Sequence, residues 1–241
     1  MRTVFKRYEE ALVNRKEVYR FISLSEGGSS FVVTKEGTIL EGELPQNFFF
    51  SNVKLHSIVS FCGMEYFCDG AERDPEVLIL GAGFVSRSVS DLLLSIGCHV
   101  TVADDRPEYL VPEFFDSRVE RRVIDFEKLH DLPLHSYTGI IVVTRAHEYD
   151  SISLRQLRDC LDVYIGIMGS SKRIFYAKKQ LAEEGWLQSE LNALYAPIGL
   201  DIGAQTPEEI ALSIVSEYLS VVRGKWPVKS LKMKGLSEEE V

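Results

Sequence analysis

Val77-Leu78-Ile79-Leu80 runs directly into Gly81-Ala82-Gly83-Phe84-Val85-Ser86, an order of residue types suited to holding a phosphate. The apolar run predicts a buried strand, and the glycine turn after it opens a helix. Gly81 permits the tight turn, and Gly83 lets backbone amides approach an anion. The helix N-terminus adds unpaired N–H groups and a dipole worth roughly 0.3–1 kcal/mol. Ser86 stands where dinucleotide-binding loops carry a third glycine, and it is small enough to keep helix and strand close. A second strand ends in Asp104-Asp105, about 23 residues beyond Gly81. An acid there can accept from a ribose 2′-hydroxyl and repels a 2′-phosphate. The alternative is that the glycines serve packing alone.

Three further segments carry chemistry. Thr144-Arg145-Ala146-His147-Glu148-Tyr149-Asp150 follows a predicted strand, where ligands of open α/β sheets bind; in that loop His147 is the histidine singled out. No two histidines share a metal-binding spacing, and no metal site is expected. Gly169-Ser170-Ser171-Lys172-Arg173 places two hydroxyls before a helix whose first turn is basic. Cations there oppose the dipole, a conflict that a bound anion would relieve; otherwise Ser170 or Ser171 is a plain N-cap. Ala196-Pro197-Ile198-Gly199-Leu200-Asp201-Ile202-Gly203 is apolar yet irregular, as a loop lying against a ligand or another protein would be. Thr206-Pro207-Glu208-Glu209 then starts a helix with a capping box.

The elements that must position these residues fall into two rhythms. Phe5, Tyr8, Leu12 and Val13 recur at helical spacing. Short β-type runs follow at Val18–Ile22, Phe31–Thr34, Thr38–Leu40, Phe48–Phe50, His56–Ser60 and Tyr66–Cys68. This is a small, mostly antiparallel α+β domain over 1–73, whose apolar runs fit a homodimer or a closed small barrel. Asp69–Pro75 is polar and punctuated, a domain boundary. Over 74–224 strands at Glu76–Leu80, Cys98–Ala103, Glu120–Val123, Gly139–Thr144 and Asp162–Ile167 alternate with helices at Phe84–Ile96, Ser151–Asp159, Lys172–Glu184, Leu187–Ala193 and Pro207–Val222. That alternation predicts a Rossmann-like α/β domain, a parallel sheet with helices on both faces. A charged tail covers 225–241.

Composition narrows the function classes. The 241 residues are 45% hydrophobic and 26% charged, an ordinary globular profile with enough chain for a sizeable core. The formal charge of −9 argues against nucleic acid as a partner. No apolar stretch approaches the roughly 20 residues that span a bilayer, so no membrane partner is expected and a cytoplasmic place is. Four scattered cysteines, of which only Cys62 and Cys68 are close, read as reduced thiols.

The same blocks, in the same order, resemble the xanthine dehydrogenase accessory factor family, XdhC/CoxI. The carriers are Gly81–Ser86, Val102–Glu108, Thr144–Asp150, Gly166–Ser170 and Ala196–Gly203 with Thr206–Ala211, across about residues 74–224. The last block is the most specific. The resemblance implies a chaperone rather than a catalyst, one that binds molybdenum cofactor and aids its sulfuration and insertion. Its implied partners are an apo-subunit of a molybdenum hydroxylase and a candidate cysteine desulfurase. Gly81, Gly83, Phe84, Asp104, Thr144, His147, Gly169 and Ser170 are then the cofactor-binding candidates. Asp201 and its loop would close the site or face the partner, and no catalytic residue is named. The chain departs from the family where Phe84 replaces a histidine, and where Thr144-Arg145-Ala146-His147 replaces a Thr-His-Gly-His-type loop. The family's N-terminal Gly-Gly-Gly-Cys-type element is not recognisable either. Two other readings stay open: a small NAD(P)-binding oxidoreductase using His147 or Tyr149, and an interaction module whose cleft has decayed.

Overall fold

The architecture is given by a computed structural model that describes residues 6–13, 17–34, 37–45, 55–61, 63–71 and 74–228. The expected run Phe48–Phe50, Phe5, Cys62 and most of the charged tail lie outside these residues. The chain divides into two compact units, Met1–Asp74 and Pro75–Val241.

In the first unit, helix α1 (Lys6–Val13) precedes strands β1 (Val18–Ser23), β2 (Phe31–Thr34), β3 (Ile39–Glu41), β4 (Ser57–Phe61) and β5 (Met64–Ala71). They form an antiparallel sheet in the order β3-β2-β1-β5-β4. Among the described residues this sheet is open, with β3 and β4 at its edges, so the closed-barrel option does not apply to them. Phe21, Phe31, Tyr66 and Cys68 fill its apolar face, with the Phe21 and Phe31 rings stacked at 4.7 Å between centroids.

The second unit is the Rossmann-like domain. Strands β6 (Glu76–Leu80), β7 (His99–Asp104), β8 (Glu120–Val123), β9 (Gly139–Val142) and β10 (Tyr164–Ile167) are all parallel, in the order β10-β9-β6-β7-β8. The order reverses between β6 and β9, which makes the carboxyl ends of those strands the switch point where such sheets bind ligands. Strand alternation fills two cores. Val77 and Ile79 of β6 face helices α2 (Phe84–Ser95) and α6 (Pro207–Val222), where Val89, Leu93, Ile214 and Tyr218 meet them. Leu78 and Leu80 face α3 (His147–Gln156) and α4 (Ser171–Glu183), among Leu154, Leu157, Ile174 and Leu181. Each such side chain contributes roughly 1.5–3 kcal/mol through burial, enough to hold the strand ends in place. Helix α5 (Gln188–Ala193) lies between α4 and the loop that leads to α6.

The expected α3 start needs correction. The helix begins at His147 rather than Ser151, so His147 heads a helix instead of sitting in a loop. Its first turn is polar, and apolar periodicity becomes visible only from Ile152. Among the described residues no helix is long and apolar enough to cross a membrane.

Candidate functional site

The turn after β6 is shaped by its backbone. Gly81 has φ +112°, and a Cβ there would lie 2.5 Å from the Val143 carbonyl oxygen, so the turn admits only glycine. Its N–H donates to the Ala103 carbonyl at 2.8 Å. The next amide, Ala82 N–H, donates to Asp104 Oδ2 at 2.8 Å, and Gly83 N–H donates to Ser86 Oγ at 3.3 Å. Ser86 is fully buried, so the residue in the third-glycine position both fits and caps its own helix. With these three amides engaged, the donors that head α2 are Phe84, Val85 and Ser86, which have no acceptor inside the helix.

Gly83 differs from Gly81. Its backbone is extended, and a Cβ built on it meets nothing within 4 Å. Among the described residues nothing requires glycine there, and the space beside the helix start is open. Phe84 leaves it open as well: the ring is 71% exposed, stands edge-on to Phe114, and lines a cavity with Arg87, Pro207 and Leu212 between α2 and α6.

Asp104 takes a different part from the ribose acceptor that its position suggests. Only 1% of it is exposed. Oδ1 accepts from Arg106 N at 3.0 Å and Nε at 2.9 Å, while Oδ2 accepts from Ala82 N and from Arg106 Nη2 at 3.0 Å. Four donors saturate a carboxylate, so Asp104 holds the glycine turn in place and offers no lone pair to a ligand. The acid that remains accessible is Asp105. It receives Arg145 bidentately, Nη1 at 2.5 Å and Nη2 at 2.7 Å. Arg145 also lies 4.1 Å above the Tyr149 ring and donates to its hydroxyl. The hydrogen bond from Arg145 holds the Asp105 carboxyl well below the usual carboxylate range.

A second cluster gathers at the ends of β9 and β10. The Thr144 hydroxyl is hydrogen-bonded to Asp150, and Asp150 is ion-paired with Arg173. Ser170 caps α4, its Oγ accepting from Arg173 N at 3.2 Å, and Gly169 packs beneath the Arg173 stem. A cavity of about 650 Å³ opens there, lined by Asp150, Ser151, Ser170, Lys172, Arg173 and Tyr176 among others. The expectation that an external anion settles the basic first turn of α4 is thus met internally for Arg173 by Asp150. Sequence reasoning does not single out Asp150 or Arg173, which the structure pairs. The available signal was an acid in one first turn and a base in another, in helices that follow adjacent parallel strands.

The loop between α5 and α6 is fixed to α6. Buried Glu217 accepts from the Tyr164 hydroxyl at 2.7 Å and from Gly199 N at 3.1 Å, both at Oε1, and Ser213 Oγ donates to the Leu200 carbonyl at 2.6 Å. Asp201 and Ile202 are exposed beyond these anchors. The capping box forms as expected: Glu209 N donates to Thr206 Oγ1 at 3.2 Å, and Glu209 Oε2 accepts from Thr206 N and Gln205 N.

The structure therefore brings Gly81, Gly83 and Asp104 together at one strand end, and Thr144, Gly169 and Ser170 around another. Asp201 stands on a separate anchored loop, and His147 is placed by its backbone as the first residue of α3. Among the described residues no three His, Cys, Asp or Glu side chains gather as a metal site requires.

Comparison with known proteins bears on this arrangement. A protein named YqeB in Escherichia coli is 29% identical over 169 residues, covering 68% of this chain and 31% of its own. A protein of Bacillus subtilis named as a probable xanthine dehydrogenase subunit is 28% identical over 155 residues, covering 64% of this chain and 44% of its own. The chain thus spans less than half the length of either relative. A crystal structure described as a xanthine dehydrogenase from Bacillus halodurans superposes with a TM-score of 0.70 at 23% identity, over 91% of this chain and 66% of that one, which shows a shared fold. The model of the XdhC Rossmann domain matches residues 77–218, from the first buried strand through the glycine turn to the helix that anchors the last loop. With more than half its length matched in this way, the chain belongs to the XdhC family.

Proposed function

We propose that the chain is an accessory protein of a xanthine dehydrogenase-type molybdenum hydroxylase, and that its Rossmann domain holds the phosphate end of molybdenum cofactor during maturation or insertion. The observation that carries this reading is the open space over Gly83, a glycine that neither conformation nor packing requires. In this reading a phosphate takes that space, received by the Phe84, Val85 and Ser86 amides and the helix dipole. Each nearby acid has a cation beside it, Arg106 at Asp104 and Arg145 at Asp105. Family membership and a relative named as a probable xanthine dehydrogenase component support the same reading.

The cofactor supplies redox chemistry at its metal in the client enzyme. This chain's residues bind, orient and release it. The Gly81–Ser86 segment takes the phosphate, the Thr144–Ser170 cluster borders the neighbouring strand ends, and the Asp201 loop faces the client. The three cysteines among the described residues favour carriage of the cofactor over carriage of sulfur. Cys68, Cys98 and Cys160 are buried, and burial raises the Cys68 thiol to about 11 and raises Cys160 as well. A cysteine desulfurase would act on the bound cofactor rather than through these residues.

Titration of purified protein with molybdenum cofactor, followed by absorbance or calorimetry, should show stoichiometric binding that Gly83→Asp weakens at least about tenfold, some 1.4 kcal/mol. Absence of binding by the wild type would remove the carrier role. The strand order also fits a dinucleotide domain, so NADH is the second titrant. Tight NADH binding would favour the oxidoreductase reading, although Tyr149, a proton donor that reading needs, is tied to Arg145.

A further inference from the structure

We propose that Arg145 is the anion-binding cation of the β6–α2 site, held on Asp105 until a phosphoryl group takes that carboxylate's place. This rests on the phosphate reading above and names the side chain that completes it. Arg145 follows β9 and Asp105 follows β7, and β6 lies between those strands. Their bidentate pair therefore spans the end of β6, across the Gly81 turn.

A guanidinium fork binds carboxylate and phosphate with the same two parallel N–H···O bonds. Asp105 thus occupies the guanidinium as a phosphate would. Of the acids beside Arg145, only Asp105 is exchangeable. Asp104 lies 3.7 Å from Arg145 Nη1, but Ala82 and Arg106 already saturate it. Arg106 approaches Asp105 no closer than 3.9 Å. The Asp105 and Arg145 side chains are 27% and 33% exposed, so water can take over the released carboxylate. A phosphoryl group would replace the two N–H···O bonds with two of the same kind, so the exchange trades one bidentate pair for another. Tyr149 lies under the guanidinium plane and keeps it oriented while the partner changes.

The test uses the full chain, with inorganic pyrophosphate and ADP as calorimetric probes. Asp105→Asn removes the competitor, and affinity should rise about fivefold; Arg145→Gln should lower it at least about tenfold. In the Arg145→Gln background, Asp105→Asn should change affinity less than about twofold, since it then has no cation to release. A general electrostatic effect of the lost charge would persist in that background and would overturn the proposal. Unchanged affinity in Arg145→Gln, with the wild type binding, would make the pair a strut and leave the phosphate reading standing. No heat from either probe with wild type or Asp105→Asn would overturn both. Binding that appears only in Asp105→Asn would support the exchange. If Arg145→Gln fails to fold, Arg145→Met takes its place in the same comparison, and unchanged or weakened affinity in Asp105→Asn sinks the proposal.

Discussion

Two glycines separated by one residue owe their identity to different demands, and substitution separates them. At Gly81 an alanine would hold a strained positive φ and press its Cβ on the Val143 carbonyl. Gly81→Ala should therefore destabilise the domain by about 2 kcal/mol or more, read as a lowered denaturant midpoint. At Gly83 the extended backbone and open surroundings accept a methyl group. The reduced entropy of the unfolded chain and the poorer N-cap oppose each other, leaving stability within about 0.5 kcal/mol while phosphate-probe affinity drops. If Gly83→Ala binds like the wild type, the space over Gly83 is not a ligand's. Asp104 belongs to the first class. Asp104→Ala would strand the Ala82 amide and uncouple Arg106, at a cost of about 3 kcal/mol, whereas Asp104→Asn keeps one acceptor oxygen and should cost less. Sequence spacing alone placed an acid correctly at the end of the second strand. It did not separate Asp104 from Asp105, because strand parity decides which carboxylate turns inward to meet the loop.

Helix α6 does more than cover the sheet: it clamps the family's most specific loop through Glu217 and Ser213. Around that clamp burial raises Tyr218 from the ordinary 10.0 to about 12, and burial reinforced by Glu217 pushes Tyr164 higher still. The unfolded chain releases these protons near pH 10, while the folded chain keeps that of Tyr218 until about 12. Stability from these phenols is thus complete below pH 10 and declines as pH rises through that window. Spectrophotometric titration should show exposed tyrosines ionising first and the remainder ionising together with loss of the circular dichroism signal. Phenolate formation at Tyr164 and Tyr218 near pH 10 in a folded protein would contradict this packing. Most elements were legible beforehand because buried parallel strands read as unbroken apolar runs, as Val77–Leu80 and Ile140–Val143 do. The short 3₁₀ turns at Pro107–Tyr109, Phe126–Asp131, Leu134–Ser136 and Arg158–Cys160 were not, since turns of three to six residues leave no periodicity. Nor was the first turn of α3, whose Asp150 is held by Thr144, just beyond β9, and by Arg173 of α4, partners that adjoin only once the strand order is known.

On the scale of the molecule, the glycine turn, the Arg145–Asp105 pair, the Asp150–Arg173 cluster and the Asp201 loop all belong to the second unit. That unit has a hydrophobic core on each face of its sheet, built from its own residues. The first unit has separate clusters around Phe21 and Tyr8. A polypeptide of residues 75–228 carries about 150 residues, long enough to bury roughly 70% of its unfolded surface. It should fold alone, with one cooperative thermal transition, and bind pyrophosphate within about twofold of the full chain, because every residue invoked for the phosphate is inside it. Calorimetry on the purified fragment checks both points. A fragment that is folded yet unable to bind would show that the second unit does not carry the site by itself. An unfolded fragment would show that its two cores are insufficient without the first unit. Retained binding would instead show that the antiparallel unit is not needed to hold the phosphate.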